Sequence, residues 1–336
     1  MASTPSLSAE EHQAFFTQFV RHVEQAGGAT PHMRMVAHAA RFSAAHRQEA
    51  AWMGGCYAAV YNYAAAEALW SHLSLASSPE AIRSFVTTHW AHLPLRRERK
   101  AVNSPAKLSQ CLISLTDWVQ HSPWLSWGAS YETAWESFQS IYGMGRYVSI
   151  RFLEFARLAL DARVRMPDIR PAGATYPRQG LSLLYPSASR YLLGSDDAAT
   201  LQQINLVIVP AELRRLAAEG LEVDPYTLQS LICEYKQSVL GGKQWPGKSL
   251  DSELVYWDKV YGSGSPFDPS LSAMYAIRSM IFPSWALGEV DSKWKERKAL
   301  GPVLRDHGYV WSDSLYSWHA SRDDLADPVA WPEPLA

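Results

Sequence analysis

The chain is short of cysteine, short of charge and without a long apolar run, and each shortage removes a class of protein. Its three cysteines, Cys56, Cys111 and Cys233, are odd in number, far apart and in no CxxC pair. That excludes a disulfide scaffold, argues against a structural zinc and suits a reducing compartment, so a cytoplasmic location is expected. The longest uncharged run, Ala50 to Ala66, has 17 residues and contains Gly54, Gly55, Asn62 and three tyrosines. It is short and polar for a bilayer span, so it reads as a buried helix and no membrane partner is expected. The N-terminus lacks a basic region leading into an apolar core, so no secretory signal is expected either. With 31 Lys plus Arg against 33 Asp plus Glu, and 47% hydrophobic residues, the chain is neither a polycation nor disordered. It has no internal repeat and no low-complexity tract.

What is present is aromatic. Only 19% of the residues are charged, while 14 are Trp and 16 are Tyr, so polar and stacking surfaces carry much of any recognition. Flat rings suit bases or sugars, although filling core volume is the plainer role of any single Trp. A length of 336 residues allows two ordinary domains or one large core.

Helix starts are legible. Thr30-Pro31, Ser78-Pro79 and Ser104-Pro105 each place an N-cap before a proline at the first helical position. Ser8 with Glu11 makes a capping box before Phe15, Phe16, Phe19, Val20 and Val23, whose spacing is helical. Asp224-Pro225 opens a helix with Leu228, Leu231, Ile232, Tyr235 and Val239 on one stripe, closed by Gly241 and Gly242. Strand-like patterning is confined to the β-branched run Leu206 to Val209, so the fold class is mainly α. Between Arg163 and Pro186 the helical pattern lapses into a loop rich in Pro, Gly and Arg. The expected organisation is a helical lobe over 1–165, a second over 166–300 and an acidic, proline-rich, surface-wrapping tail over 301–336.

The most specific local signal is Ile141-Tyr142-Gly143-Met144-Gly145-Arg146-Tyr147. Tyr131, Trp135 and Phe138 recur at helical spacing before it, and Val148, Phe152, Phe155 and Ala159 after it, giving a helix-hairpin-helix over about 131–160. Glycines permit positive φ and close backbone approach, and the second helix starts with N–H groups that suit a DNA phosphate. Gly143, Gly145, Arg146, Tyr147 and Arg151 are the candidate DNA-binding residues; the alternative is an ordinary helical corner without a ligand. From Ile141 to Gly180, seven arginines (146, 151, 157, 163, 165, 170 and 178) face Glu154, Asp161 and Asp168, and a second basic cluster holds Arg96, Arg97, Arg99, Lys100 and Lys107. Such stretches can neutralise several phosphates, or form a solvated loop. Glu154, with Arg151 and Arg157 within one turn, reads as part of a surface ion-pair cluster.

Tyr142 to Tyr147 running on to Glu154, and more loosely Cys233-Glu234-Tyr235-Lys236-Gln237 and Pro246-Gly247-Lys248 leading to Asp251 and Glu253, resemble the phage amino acid:DNA transferases. These are also called α-glutamyl/putrescinyl thymine pyrophosphorylases and are related to helix-hairpin-helix DNA glycosylases. The resemblance implies a helix-hairpin-helix DNA-glycosylase-like fold of two helical lobes with an irregular C-terminal tail. It implies action on double-stranded DNA whose thymines are hydroxymethylated and phosphorylated at the 5-methyl carbon, the (pyro)phosphate being exchanged for a free amino acid or amine. Glycine is a donor from the family alone, and the setting is a phage-infected bacterial cell. The related glycosylases place a catalytic Asp at a set distance after the hairpin. Asp161 falls short of it and Asp168 slightly beyond, in neither case within a Val-Asp-Thr-His-like setting, which speaks against base excision.

Such an exchange needs an extruded base, cations for the leaving group and a base for the incoming ammonium. Lys243, Lys248 and Ser249, in a glycine-containing loop before a helix N-terminus, are the candidate phosphate-binding residues. Gly242 to Ser249 satisfies GxxxxGKS, but an amphipathic helix precedes it where a P-loop follows a buried strand, so no nucleotide-triphosphate fold is expected. The candidate catalytic residues are Lys236, Glu253, Asp251 and Glu234. Lys236 is the phosphate-facing member of its helix; Glu234 points about 200° away and joins it only if the helix is irregular. Asp251 complements the helix dipole, and Glu253 is the better placed to bind or deprotonate the amino group. Cys233 is read as a half-buried structural thiol, its addition to the pyrimidine ring being the sharper variant. His89 and His92 share a helical face without a third ligand, so no metal site is assigned. No cofactor is implied beyond a magnesium ion that could bridge phosphate and carboxylate. Two alternatives stand beside the transferase: a non-catalytic helix-hairpin-helix DNA-binding module, and a base-excising glycosylase.

Overall fold

The computed structural model describes residues 8–25, 31–96, 99–121, 130–160, 164–239, 260–261, 265–267, 309–312 and 317–320. Among them the chain is mainly α. In chain order the helices are α1 (Ala9–Gln25), α2 (Pro31–Ser43), α3 (Arg47–Val60), α4 (Tyr63–His72), α5 (Pro79–His89), α6 (Pro105–His121) and α7 (Tyr131–Gln139). They continue with α8 (Arg146–Ala159), α9 (Thr175–Leu184), α10 (Ser189–Leu192), α11 (Ala198–Gln203), α12 (Val209–Ala218) and α13 (Pro225–Val239). Among the described residues no helix is long and apolar enough to cross a membrane.

The predicted caps at Ser8, Ser78, Ser104 and Asp224 are in place because they are local, whereas Thr30, Gly241 and Gly242 lie outside the described residues. Ser8 N–H donates to the Glu11 carboxylate at 2.6 Å and Glu11 N–H to Ser8 Oγ at 3.2 Å, the reciprocal bonds of a capping box. Ser78 accepts from Ala81 N, Ser104 from Lys107 N and Asp224 from Thr227 N.

One compact unit comprises the described residues of 31–165 and 249–281. Its axis is α3, in which every residue from Ala50 to Val60 is buried and whose small side chains let α2, α4, α6 and α8 close around it. The uncharged run expected to be one helix is two. Tyr61 leaves α3 at φ 54°, and Asn62 starts α4 by accepting from Ala65 N–H at 2.8 Å. An asparagine in mid-run offers the backbone a fresh N-terminus, which apolarity alone did not reveal. Phe138 stacks on Phe152 at 4.0 Å, with Trp118 edge-on to both at 5.4 and 5.6 Å. His89, His72 and His92 surround the Phe267 ring. Among the described residues no group of three or more His, Cys, Asp or Glu is arranged to hold a metal ion.

The other unit gathers the described residues of 1–30, 166–248 and 282–336. Phe16, Phe19 and Val20 of α1 share a core with Leu181 and Leu184 of α9 and Leu228, Leu231, Ile232 and Tyr235 of α13. The loop expected between Arg163 and Pro186 is corrected: α9 lies within it. Pro177 is tolerated because it sits in the first turn, where an N–H has no intrahelical partner. Gly180 allows α9 and α13 to touch, since an added Cβ would lie 2.5 Å from the Ile232 carbonyl oxygen. The β-branched run Leu206 to Val209 is not a strand; it spans a π turn (Ile204–Ile208) and the start of α12. Glu212, wholly buried, accepts from Arg215 at 3.0 and 2.6 Å and from Tyr185 Oη at 2.7 Å, while Arg215 also reaches Thr17 Oγ1 at 2.6 Å. This network ties α12 to α1 and to the end of α9. In the C-terminal segment, β1 (Tyr309–Ser312) pairs antiparallel with β2 (Ser317–Ala320). The tail is therefore not irregular throughout; Tyr309, Val310, Trp311 and Trp318 have the β-branched and aromatic character that suits a pleated ribbon.

Gly180→Ala is expected to destabilise its unit by about 2–3 kcal/mol through overpacking against α13. Urea unfolding read by circular dichroism checks this, and a midpoint equal to wild type would contradict the close approach.

Candidate functional site

Helices α7 and α8 meet at a tight corner. Gly143 has φ +77°, and an added Cβ there would also lie 2.7 Å from Val102 Cγ1, so both conformation and space require glycine. The turn is braced from beneath. Arg99, only 3% exposed, donates to the Gly143 carbonyl at 3.0 Å and to the Ala59 carbonyl at 2.8 Å, and also reaches Met144 Sδ. Tyr142 N–H donates to Ser114 Oγ at 3.1 Å.

Gly145 is the N-cap of α8. It is extended, brings no side-chain cap, and has nothing within 4 Å of an added Cβ. The first turn of α8 thus begins at an exposed, side-chain-free residue, the arrangement in which backbone amides and the helix dipole suit an anion. Arg146 is half-exposed and Tyr147 is 40% exposed. The Tyr147 hydroxyl lies 2.6 Å from that of Tyr61, with the rings edge to face at 5.5 Å. Burial, and secondarily Tyr147, push the Tyr61 phenol well above its ordinary range, so the Tyr61 hydroxyl is neutral at physiological pH. Arg96 stands 5.1 Å over the Tyr61 ring and Arg151 5.2 Å over the Tyr147 ring.

Arg151 does not present itself outward. It is 3% exposed and paired with Glu154 at 2.7 Å, itself 2% exposed, so the expected surface ion-pair cluster is a buried pair. The reason is that every residue of α8 from Val148 to Ala156 is buried, whereas sequence spacing alone gives no depth. Burial opposes the Arg151 charge, but Tyr147, Glu154 and Tyr61 more than offset it and hold the guanidinium protonated. Arg178 is internal too: it donates to the carbonyls of Leu192, Tyr191 and Gly194 at the end of α10 and pairs with Asp196. The local excess of arginine is therefore partly spent inside the protein. Tyr61 escaped sequence reasoning, and Arg99 was read only as a member of the second basic cluster; the one available signal was Asn62, which marks the break that turns Tyr61 toward α8.

In the other unit, α13 runs without interruption from Pro225 to Val239. Glu234 and Lys236 therefore diverge by about 200°, and the condition under which they share one pocket is not met. Lys236 Nζ lies 4.2 Å above the ring of Tyr176, which is 53% exposed. Cys233 is half-buried. Asp168 is held by Arg170 N–H at 2.5 Å and by the Asn205 amide at 3.0 Å. Lys243, Lys248, Ser249, Asp251, Glu253 and Asp161 lie outside the described residues. That α13 is a helix agrees with the rejection of a strand-first P-loop.

The family model described as amino acid:DNA transferase matches residues 29–242. Comparison with curated proteins and with solved structures found no match. The matched stretch holds the α7–α8 corner and Lys236, and stops short of Lys243.

Arg151→Ala, which strands Glu154 unpaired in the core, is expected to lower stability by about 3–5 kcal/mol. Arg146→Ala is expected to stay within about 0.5 kcal/mol. Urea midpoints for the two variants check the ordering.

Proposed function

The chain belongs to the amino acid:DNA transferase family, and from that premise we propose that it is a DNA hypermodification transferase. It replaces the (pyro)phosphate of phosphorylated 5-hydroxymethyluracil in DNA with an amino acid such as glycine. The observation that carries this reading is the family match across well over half of the chain. The uncapped, glycine-led N-terminus of α8 supports it as a place for a DNA phosphate.

In this reading the corner at Gly143 and Gly145 grips the sugar–phosphate backbone, with Arg146 and Tyr147 beside it, and the thymine is extruded from the stack. Rigidity matters to such a grip, and Arg99 supplies it by fixing the Gly143 carbonyl. The donor ammonium gives one proton to a base, for which Glu253 and Asp251 are the candidates. The amine lone pair then forms the bond to the exocyclic methylene carbon as the carbon–oxygen bond breaks. The electron pair leaves on the (pyro)phosphate, and the product is a secondary ammonium. Lys236, Lys243, Lys248 and Ser249 are the candidates to stabilise that departing charge.

Incubation with duplex DNA containing phosphorylated 5-hydroxymethyluracil and single amino acids, followed by digestion and mass spectrometry, should yield a new nucleoside with the mass of the adduct. No adduct with any of the twenty amino acids overturns the reading; release of free base points to a glycosylase instead.

Arg146→Ala should weaken duplex binding at every sequence and reduce the log–log salt slope by about one. Fluorescence anisotropy over a salt series checks this.

A further inference from the structure

Of the aromatic residues of α8, Phe152 and Phe155 are wholly buried, while Tyr147 keeps 40% of its surface exposed. An exposed tyrosine ordinarily turns about two side-chain torsions, but this one is held on three counts. Its hydroxyl lies 2.6 Å from that of Tyr61, its ring packs edge to face with the Tyr61 ring at 5.5 Å, and the Arg151 guanidinium stands 5.2 Å over it. Each support is itself anchored. Arg151 pairs with Glu154 in the core at 2.7 Å, and Tyr61, 3% exposed, has Arg96 5.1 Å over its ring. Tyr61 reaches its place through a left-handed backbone at φ 54°, a conformation that persists for an aromatic residue only where its surroundings impose it.

Holding an exposed ring still costs side-chain entropy before any ligand arrives, so a flat partner that meets it has less ordering left to do. The neighbouring residues say which flat partner fits. Tyr147 follows Gly145 and Arg146 at the start of α8, where backbone amides and a cationic side chain suit a phosphate. Along a nucleic-acid strand the flat group beside each phosphate is a base, and every base has a π-face on which an aromatic ring can stack. In an intact duplex the neighbouring pairs cover both faces. The ring can therefore meet only a base that has left its stack.

We propose that Tyr147 is a stacking platform for an unpaired nucleobase, and that it gives the α7–α8 corner a preference for locally unpaired DNA over intact duplex. The proposal rests on the reading that this chain acts on DNA. Stacking releases no counterions, so the ring adds affinity without steepening the response to salt. Arg146 and Tyr147 thus act on different features of one strand, the first on its phosphates and the second on the exposure of a base. Tyr61, Arg96, Tyr147 and Arg151 all fall inside the stretch that the family model matches.

The test uses the full chain and two duplexes that differ in one feature: the first is fully paired, and the second carries a single bulged 2-aminopurine, whose fluorescence falls when it stacks. Wild type should bind the bulged duplex about tenfold more tightly and quench the probe. Tyr147→Leu, which keeps bulk but removes the ring, should lose both the margin and the quenching, with affinity for the paired duplex and the salt slope unchanged. Tyr147→Phe, which keeps the ring, should retain most of the margin, and circular dichroism shows that each variant is folded. Equal wild-type affinity for the two duplexes, or a margin that survives Tyr147→Leu, overturns the stacking platform. So does a salt slope that falls by about one in Tyr147→Leu, the mark of a phosphate contact. The adduct assay separates this claim from the reading beneath it. If Tyr147→Leu raises the KM for DNA, both hold. If Tyr147→Leu forms adduct with unaltered KM and kcat, the platform falls and the transferase reading stands. If the margin depends on Tyr147 but wild type forms no adduct, the transferase reading falls and the platform remains.

Discussion

A single buried guanidinium, that of Arg99, holds the end of α3 and the glycine corner before α8 in one arrangement, because it donates to the carbonyls of both Ala59 and Gly143. Neither carbonyl has a helical partner to replace it, and a buried acceptor left unmatched is destabilising by about 1–3 kcal/mol. The consequences spread outward from this bond. With the corner fixed, α8 starts at Gly145, Tyr147 falls opposite Tyr61, and Arg151 is drawn beneath Tyr147 to meet Glu154. Tyr61, in turn, occupies a left-handed conformation unusual for an aromatic residue. That strain is maintained by the contacts on either side of it, and strain of this kind tends to gather where a protein meets its ligand.

Charge in this unit is layered by depth. Arg99 and Arg151 are interior cations with fixed partners, while Arg146 sits at the surface beside an uncapped helix start. Interior cations position; surface cations attract. A count of basic residues along the chain merges the two and overstates the positive face.

What was legible in the sequence was local. The capping box at Ser8 and Glu11, the Ser-Pro and Asp-Pro helix starts and the paired glycines at 143 and 145 depend on neighbours within a few residues, and each is found where the pattern put it. What was not legible depended on distant partners. Arg99 reads as one more residue of a basic loop until Gly143 is brought to it from 44 residues away. The α9 helix was hidden because Pro177 and Gly180 both signal a loop, whereas one occupies a permissive first turn and the other faces Ile232. In the candidate site, Glu234 and Lys236 could be separated by geometry from the sequence alone, and the unbroken α13 upholds that separation.

The π turn from Ile204 to Ile208 sets the rotational phase of everything that follows it. A π turn carries about one residue more than an α turn, and each residue advances a helix by about 100°. The extra residue therefore aims Glu212 and Arg215 inward, toward Tyr185 and Thr17, and leaves Leu206 and Val207 outside at 65% and 49% exposure. A chain lacking Asn205 would lose no apolar residue, yet its α12 would be turned about its own axis with the carboxylate facing away from the core. The outward Leu206 and Val207 are the visible counterpart of a well-oriented interior, a local excess of length that keeps the unit's charged centre in register.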